Sequence, residues 1–446
     1  MTIQTATFWN RRTRLSILAG CVVILTLLFC GALAIPFAYE SFSIKYKFGL
    51  HKALLRSGKL VGMAAALLLV IQLLLATRIT WVNRMAGMDR LVTVHKYNGI
   101  VIALLALMHP LLVFGPEEIT TLPLEFKFWP EIVGAGLLMG IFYMTAAALF
   151  KKELSLPFHL WMWAHKIGGC VVLSALFVHL LFSSETFEGG LPRIVGIAFA
   201  TLCLVVLISR HAKPFRNLST WVVSEVTPAG SRATRIRLTP DKKSKFTYLP
   251  GQFAFLSFPS SVVSSEAHPF TIASSPASPN AMEFIIGRSG DWTQYMDRIQ
   301  EGEPAVLDGP YGNFSHLMLE DNAPLILIAG GIGITPMLSM MRHMDATNDR
   351  RKIILVWSNR RHGDLFSADE LIRMKMNHPW LSVHLHFTDE PGAERLNTEQ
   401  LHHFIGDLTA PQVFLCGPPP MMTAVKAMLR EIGIHNSRIH TETFGF

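Results

Sequence analysis

The chain has 446 residues, of which 50% are hydrophobic and only 16% charged, with a mean hydropathy of +0.35; a single soluble core does not absorb that apolar excess. The formal charge of +8 is spread along helix flanks rather than gathered with aromatics on one face, which argues against nucleic acid as a partner and for membrane topology. Cys21, Cys30, Cys170, Cys203 and Cys416 show no CxxC spacing, and four of them lie in apolar runs, so neither a disulfide framework nor a zinc site is expected.

Six segments, near 15–37, 57–77, 92–114, 130–150, 158–183 and 191–210, approach the ~20 apolar residues that cross a ~30 Å hydrocarbon core. Backbone groups in lipid must be satisfied within the segment, so a six-helix bundle is predicted. The first run follows Arg11, Arg12 and Arg14 and ends in Ala32-Leu33-Ala34, which resembles a cleavage site, but its apolar stretch is long for a signal peptide, and an uncleaved helix is expected. Arg11 to Arg14, then Arg78, Arg84 and Arg90, then Lys151 and Lys152, then Arg210, Lys213 and Arg216 share one side if the N-terminus is cytoplasmic. Lys45, Lys47, Lys52, Arg56 and Lys59 fall on the outer side, against the rule, and form a candidate positive patch.

Histidine inside a membrane span is costly without a partner or a metal. His95 and His109 lie on the third predicted helix, and His165 and His179 on the fifth, at equal spacings of 14 residues. Fourteen steps of about 100° leave the second ring about 40° from the first and about 21 Å along the axis, on the same face. If both helices run the same way, His95 comes level with His165 and His109 with His179, so that each pair suits the two axial positions of a haem iron. Gly99, Gly168 and Gly169, one turn from the inner pair, leave room for a porphyrin face or serve plain helix packing. His51 and His159 have no counterpart at this spacing and read as interfacial.

After Lys213-Pro214, alternating segments at Trp221 to Val226, Arg232 to Leu238 and Phe253 to Phe258, separated by Pro and Gly turns, predict an antiparallel barrel or sandwich. From about Pro324 the pattern changes to an apolar strand, Leu325 to Ile328, running into Ala329-Gly330-Gly331-Ile332-Gly333-Ile334-Thr335-Pro336 and a helix. Thr335 is the expected N-cap and Pro336 the first helical residue, which makes the turn an anion site suited to a pyrophosphate. The ordinary GxGxxG fingerprint is absent.

Other motifs follow in order: His268-Pro269-Phe270-Thr271-Ile272-Ala273-Ser274, Gly287-Arg288-Ser289-Gly290-Asp291-Trp292-Thr293, Cys416-Gly417-Pro418 and the terminal Thr443-Phe444-Gly445-Phe446. With these the whole chain resembles the ferric reductase and NADPH oxidase family, bacterial members included. The resemblance implies a transmembrane helical domain with two b-type haems over 1–213, an FAD-binding antiparallel β-barrel over 214–320 and an NAD(P)H-binding α/β domain over 321–446, the last two forming a ferredoxin-reductase-like module. It implies a relay from NADPH through FAD and the haems of His95 with His165 and of His109 with His179 to an acceptor on the outer face of the bacterial inner or plasma membrane, with the soluble module cytoplasmic.

Residue by residue, the resemblance sets Phe270 on the isoalloxazine, Thr271 near the flavin N5 edge, His268 toward the FAD phosphates, and Pro269 and Ser274 in the same motif. Arg288, Gly290, Asp291, Trp292 and Thr293 would face the FAD pyrophosphate, with Asp291 capping a helix. Gly330, Gly331, Gly333, Thr335 and Pro336 resemble the pyridine-nucleotide diphosphate loop. Cys416, Gly417 and Pro418 resemble the motif beside the nicotinamide, where the thiol is placed near the hydride path; a buried inert thiol is the alternative for Cys416. Phe446 resembles the aromatic that covers the flavin.

Arg360 and Arg361, after the strand Ile353 to Trp357, offer cations for a 2′-phosphate and favour NADPH over NADH. Arg56 resembles an arginine near the outer haem of the oxidases, where it would hold dioxygen as superoxide forms; a residue snorkelling to the interface is the other reading. A ferric chelate, or a partner protein or quinone, stands beside dioxygen as the acceptor.

Overall fold

The first half forms helices because its residues are apolar on every face, and a helix surrounded by lipid needs no polar side. The computed structural model describes residues 11–76, 82, 87–115, 125–151, 153–155, 158–183, 185–211, 218–241, 246–259, 263–278, 280–391, 394–406 and 408–443. Its helices are α1 (Arg11–Ala38), α2 (Gly49–Ala76), α3 (Met88–Phe114), α4 (Trp129–Leu149), α5 (Phe158–Phe182) and α6 (Gly190–His211). All six contain stretches long and apolar enough to cross a membrane, and the chain is a multi-pass membrane protein. Val70, Ile102, Leu137, Leu173 and Leu176 pack inside the bundle, whereas Leu27, Leu111 and Ile194 are each about two-thirds exposed, as lipid-facing residues are. Two polar side chains within the spans bond across helices: Asn98 donates to the Leu68 carbonyl at 3.0 Å and to Gln72 Oε1 at 2.7 Å, and Gln72 donates to the His95 carbonyl at 2.9 Å.

Of the basic residues used to orient the bundle, Arg78, Arg84, Lys152, Lys213 and Arg216 lie outside the described residues.

The second unit holds two sheets. Strands β1 (Leu218–Ala229), β2 (Ala233–Pro240), β3 (Phe253–Ser257), β4 (His268–Thr271), β5 (Met282–Gly287) and β6 (Pro304–Tyr311) form an antiparallel sheet in the order β4-β3-β6-β1-β2-β5. The two ends of that order meet where Ile272 bridges Phe284, and the Ala273 N–H donates to the Glu283 carbonyl at 2.8 Å, so the sheet curls into a barrel. Closure removes free edges and surrounds a core that includes Ile236, Leu238, Leu256, Phe284 and Leu307.

Strands β7 (Leu325–Gly330), β8 (Ile353–Asn359), β9 (Leu381–Phe387), β10 (Gln412–Cys416) and β11 (Ile439–Glu442) form a parallel sheet in the order β11-β10-β7-β8-β9, with α7 (Thr335–Thr347), α8 (Ala368–Asn377), α9 (Thr398–Ile405) and α10 (Pro419–Glu431). The chain steps from β7 to β8 and β9 on one side, then returns to place β10 on the other side of β7. That reversal opens a crevice outside the carboxyl ends of β7 and β10, where open α/β sheets take their ligands.

A buried histidine pair gives the α/β lobe a pH dependence. His316, 2% exposed, meets His343 of α7 with ring centres 5.7 Å apart. Burial, helped by the Arg351 charge and by His343, pushes the His316 imidazole down to about 3. The unfolded chain binds the proton near pH 6.5, so between these values it carries more protons than the folded one. Stability from this site is full above about pH 6.5 and falls by about 1.4 kcal/mol per pH unit toward pH 3. Chemical denaturation across that window should show the slope, and His316→Phe should flatten it; an identical slope in the variant would contradict the assignment.

Candidate functional site

The structure brings His95 of α3 to His165 of α5, with ring centres 6.1 Å apart and planes at 65°, and His109 to His179 at 6.3 Å and 82°. The level pairing expected from the 14-residue spacing is therefore present in the geometry. Two carbonyls orient the second pair: His109 Nδ1 lies 2.8 Å from the Gly58 oxygen and His179 Nδ1 2.9 Å from the Pro130 oxygen. An Nδ1–H given to a carbonyl fixes the tautomer and leaves Nε2 with its lone pair free. In the first pair, His95 Nδ1 is buried with no hydrogen-bond partner among the described residues, and Trp161 stacks on His165 at 5.2 Å.

The glycines nearest these rings are not the expected ones. A Cβ on Gly168 would stand 3.1 Å from Met144 Sδ, which suits close helix packing, whereas one on Gly169 or Gly99 would make only ordinary contacts, 3.9 Å from Met144 and 3.4 Å from Gln72. Gly62 and Gly134 are the ones pressed on imidazoles: a Cβ there would stand 2.6 Å from His109 Nδ1 and 2.6 Å from His179 Cε1. They lie on α2 and α4, which carry no histidine of either pair, and sequence spacing gives no hint of them.

The expected positive patch is partly neutralised. Arg56 bonds Glu40 and lies over the Phe37 ring at 4.8 Å. Lys52 pairs with Glu40 at 3.2 Å, and Lys59 donates to Thr186 Oγ1 at 3.0 Å. The hydrogen bond from Lys52 and the charges of Lys52 and Arg56 hold the Glu40 carboxyl below its ordinary range.

In the barrel, β4 carries His268, Pro269, Phe270 and Thr271. His268 lies against the Trp292 ring at 4.5 Å and 3.3 Å from the Glu266 carboxylate, and Phe270 stacks on Trp292 at 5.7 Å. Burial lowers the His268 imidazole below its usual value, against the pull of Glu266. Ser274 is buried, its hydroxyl 2.9 Å from Tyr248 Oη and accepting from the Glu283 N–H at 3.0 Å.

Asp291 does not cap a helix. The segment after it is a short 3-10 helix, Thr293–Arg298, whose cap position is Trp292 with no side-chain cap bond. Thr293 closes the turn instead, accepting from the Ser289 N–H at 2.9 Å and donating to the Gly290 carbonyl at 3.2 Å. A threonine hydroxyl that both donates and accepts can do what an acceptor-only carboxylate cannot. Arg288 pairs with Asp297 at 3.3 Å.

At the crevice of the parallel sheet, the loops after β7 and β10 lie against each other. A Cβ on Gly330 would meet Pro418 at 2.8 Å, and one on Gly333 would meet the Cys416 carbonyl at 2.5 Å, so any larger residue would push the two loops apart. Gly331 sits at φ +54 in the left-handed region, and its carbonyl accepts from Trp357 Nε1 at 2.9 Å. Thr335 is not the N-cap but the first residue of α7, with Pro336 next; the cap position is Ile334, and the Thr335 hydroxyl donates back to the Ile332 carbonyl at 3.1 Å. The local 3-10 turn Gly331–Ile334 shifts the helix start by one residue.

Cys416 ends β10 fully buried, and burial, with the Glu442 charge, pushes its thiol well above the usual value. Gly417 and Pro418 lead into α10, with Pro418 at its N-cap position. Arg360 and Arg361 are exposed beyond β8. On the neighbouring strand's end Asp389 and Glu390 approach them: the Asp389 N–H donates to the Arg360 carbonyl at 3.0 Å, and Glu390 accepts from the His362 N–H at 3.1 Å. Phe446 lies outside the described residues.

Three family models match this chain in order: the ferric reductase-like transmembrane component over residues 61–176, an FAD-binding domain over 223–315 and an oxidoreductase NAD-binding domain over 327–427. Together with six membrane helices, a curled antiparallel sheet and a parallel α/β sheet, they define a membrane oxidoreductase that uses FAD and a pyridine nucleotide. The chain has the architecture of the ferric reductase and NADPH oxidase family.

It is 29% identical to the reductase component of propane 2-monooxygenase from Mycolicibacterium goodii over 245 residues, 52% of this chain and 68% of that one. It is 27% identical to a flavohemoprotein of Bordetella pertussis over 236 residues, 49% of this chain and 58% of that one, which is less than two thirds of its length. A flavohemoglobin of Malassezia yamatoensis, crystallised with FAD and heme, covers 91% of this chain with all of its own length at 18% identity and a TM-score of 0.50, a likeness of fold alone.

Proposed function

We propose that the protein carries electrons across the membrane from cytoplasmic NADPH, through FAD and two b-type haems, to an outer acceptor, in the first place dioxygen. The observation that carries the reading is the pair of imidazole pairs, 6.1 and 6.3 Å between ring centres. Two metal–imidazole bonds of about 2.0 Å each, set end to end with two ring half-widths, span about 6 Å. The carbonyls on His109 and His179 Nδ1 support the same use, since they leave Nε2 as the ligand atom. His95 with His165 and His109 with His179 would thus each hold one haem iron.

When bound, the cofactors supply a two-electron carrier in FAD and two one-electron carriers in the haems. The chain's own residues bind and orient. Phe270 and Thr271 would line the isoalloxazine, with Pro269 and Ser274 in the same motif, and His268, Arg288, Gly290, Asp291, Trp292 and Thr293 would face the FAD phosphates. Gly330, Gly331, Gly333, Thr335 and Pro336 would take the nucleotide diphosphate at the positive end of α7. Cys416, Gly417 and Pro418 would bound the nicotinamide side, and Phe446 would cover the flavin. The burial of Cys416 favours a shaping role for that residue over a reactive one.

Arg360 and Arg361 would take the 2′-phosphate. Replacing both by alanine should raise the KM for NADPH about tenfold or more, as expected for lost charge-assisted hydrogen bonds, and leave the KM for NADH within about twofold. Equal effects on both nucleotides would contradict that role.

Arg56 is bonded to Glu40, and the pair would sit beside the outer acceptor; this favours a fixed cation over a freely snorkelling one. Dioxygen and a ferric chelate are separated by comparing cytochrome c reduction sensitive to superoxide dismutase with ferric-chelate reduction under anaerobic conditions. The first alone supports dioxygen, the second alone the chelate, and neither would point to a partner protein or quinone.

A further inference from the structure

We propose that Arg342 is a positioning residue for hydride transfer, fixing the helix that begins at the nucleotide loop to the strand that carries the flavin motif. Its place in the chain gives no sign of this, since it reads as a solvated charge in the middle of α7. In the fold its side chain is only 14% exposed. The guanidinium donates to the Ala273 carbonyl at 2.8 Å and to Glu283 Oε1 at 2.9 Å on the barrel, and through Nε and Nη2 to both oxygens of Glu370 on α8, at 2.6 and 2.7 Å. One planar fork therefore joins three separate segments, a geometry that a lysine cannot reproduce.

What it joins gives it consequence. Ala273 lies two residues beyond Thr271, at the point where the barrel closes through the Ile272 to Phe284 bridge. One turn earlier on the same helix, Ser339 donates to the Ser274 carbonyl at 2.7 Å. Helix α7 is thus fastened at two points to the strand end that follows the flavin motif, while its own first residue, Thr335, ends the glycine loop about 10 Å away along the axis. A helix is stiff over that length, so a tilt at Arg342 moves the loop relative to Thr271. Hydride transfer tolerates little such movement, because a displacement of about 1 Å can cost about a hundredfold in rate.

A buried ion pair can also be merely structural, and the surroundings allow the two roles to be separated. Glu283 is also held by Arg237 at 3.1 Å and Arg235 at 3.6 Å, so it keeps charged partners when Arg342 is removed. Glu370 is 24% exposed and reaches water. Arg235 also donates to Ser367 at 2.6 Å, and Ser231 to Asp364 at 2.6 Å, which keeps the two lobes together without Arg342. The variant should lose registration rather than assembly.

The inference rests on the barrel holding flavin and the α/β lobe holding the pyridine nucleotide, which FAD content and NADPH-dependent flavin reduction in the unsubstituted protein test separately. The full-length protein, loaded with FAD, is mixed rapidly with NADPH without oxygen, and flavin reduction is followed at rising NADPH. Arg342→Ala should lower the limiting rate of flavin reduction about tenfold to a hundredfold, with the NADPH dissociation constant and FAD content within about twofold, and Arg342→Lys should recover part of the rate. A limiting rate within about twofold of the unsubstituted protein overturns the proposal, as does a loss explained wholly by lower FAD content or weaker NADPH binding. Should Arg342→Ala fail to fold, Glu370→Gln, which removes only the α8 carboxylate, is read in the same way: a limiting rate lowered about threefold or more supports the proposal, and an unchanged one overturns it.

Discussion

Replacing His179 by alanine is expected to leave the protein with one haem instead of two and to stop reduction of the outer acceptor, while NADPH still reduces the flavin at its normal rate. His179 faces His109 at 6.3 Å and has its Nδ1 2.9 Å from the Pro130 carbonyl, so its removal takes away one of the two facing imidazoles and leaves His109 without its counterpart. Acceptor reduction should fall by a factor of about a hundred or more, since electron transfer to the outer face has lost its last carrier. His109→Ala should do the same, and His95→Ala or His165→Ala should remove the other haem and block transfer earlier. Two haems retained in His109→Ala and in His179→Ala would refute the ligand assignment.

Gly134→Ala is expected to have nearly the same effect with all four histidines in place. The added Cβ would stand 2.6 Å from His179 Cε1, a separation that real contacts do not show, so the imidazole must rotate or α4 must move away. Rotation breaks the 2.9 Å contact to the Pro130 carbonyl, and helix movement opens a packed interface at a cost of about 1–3 kcal/mol. Gly62→Ala makes the matching collision with His109 Nδ1, also at 2.6 Å, and disturbs its bond to Gly58. In both variants one haem equivalent should be lost or become five-coordinate, visible in the absorption and spin state of the iron. An unchanged spectrum in both would show that the bundle relaxes around these positions and that the glycines are not required.

The contrast between these two predictions reflects what a linear sequence can carry. The four histidines were legible because helical periodicity turns a 14-residue spacing into a shared face, and because histidine is conspicuous in an apolar run. The glycines that make room for them were not, since Gly62 and Gly134 touch their rings across helices 47 and 45 residues away in the chain. The glycines nearest in sequence to the inner pair, Gly168 and Gly169, pack on Met144 instead.

The soluble motifs divide in the same way. The strand, glycine loop and helix of Gly330 to Pro336 were read in place, because turn chemistry is local. The helix start was misplaced by one residue, because the 3-10 turn Gly331–Ile334 depends on how the loop packs on the Cys416 carbonyl and on Trp357. Residue preference alone favours Asp291 as a cap, whereas the backbone runs into a short 3-10 helix in which Thr293 meets the turn's needs. Nothing local in the sequence marks Arg342, because its partners at Ala273, Glu283 and Glu370 are drawn from two other strands' ends and a different helix.

If electrons run from the pyridine nucleotide through flavin to two haems in one chain, NADPH alone must reduce every carrier. This is tested most directly by titrating the purified, FAD-loaded protein with NADPH in the absence of oxygen and recording flavin and haem absorbance together with haem content. Two b-type haems per chain are expected, both reduced by NADPH, with reduction lost when FAD is omitted. Fewer than two haems in the intact protein, or haems that stay oxidised while the flavin is reduced, would contradict it.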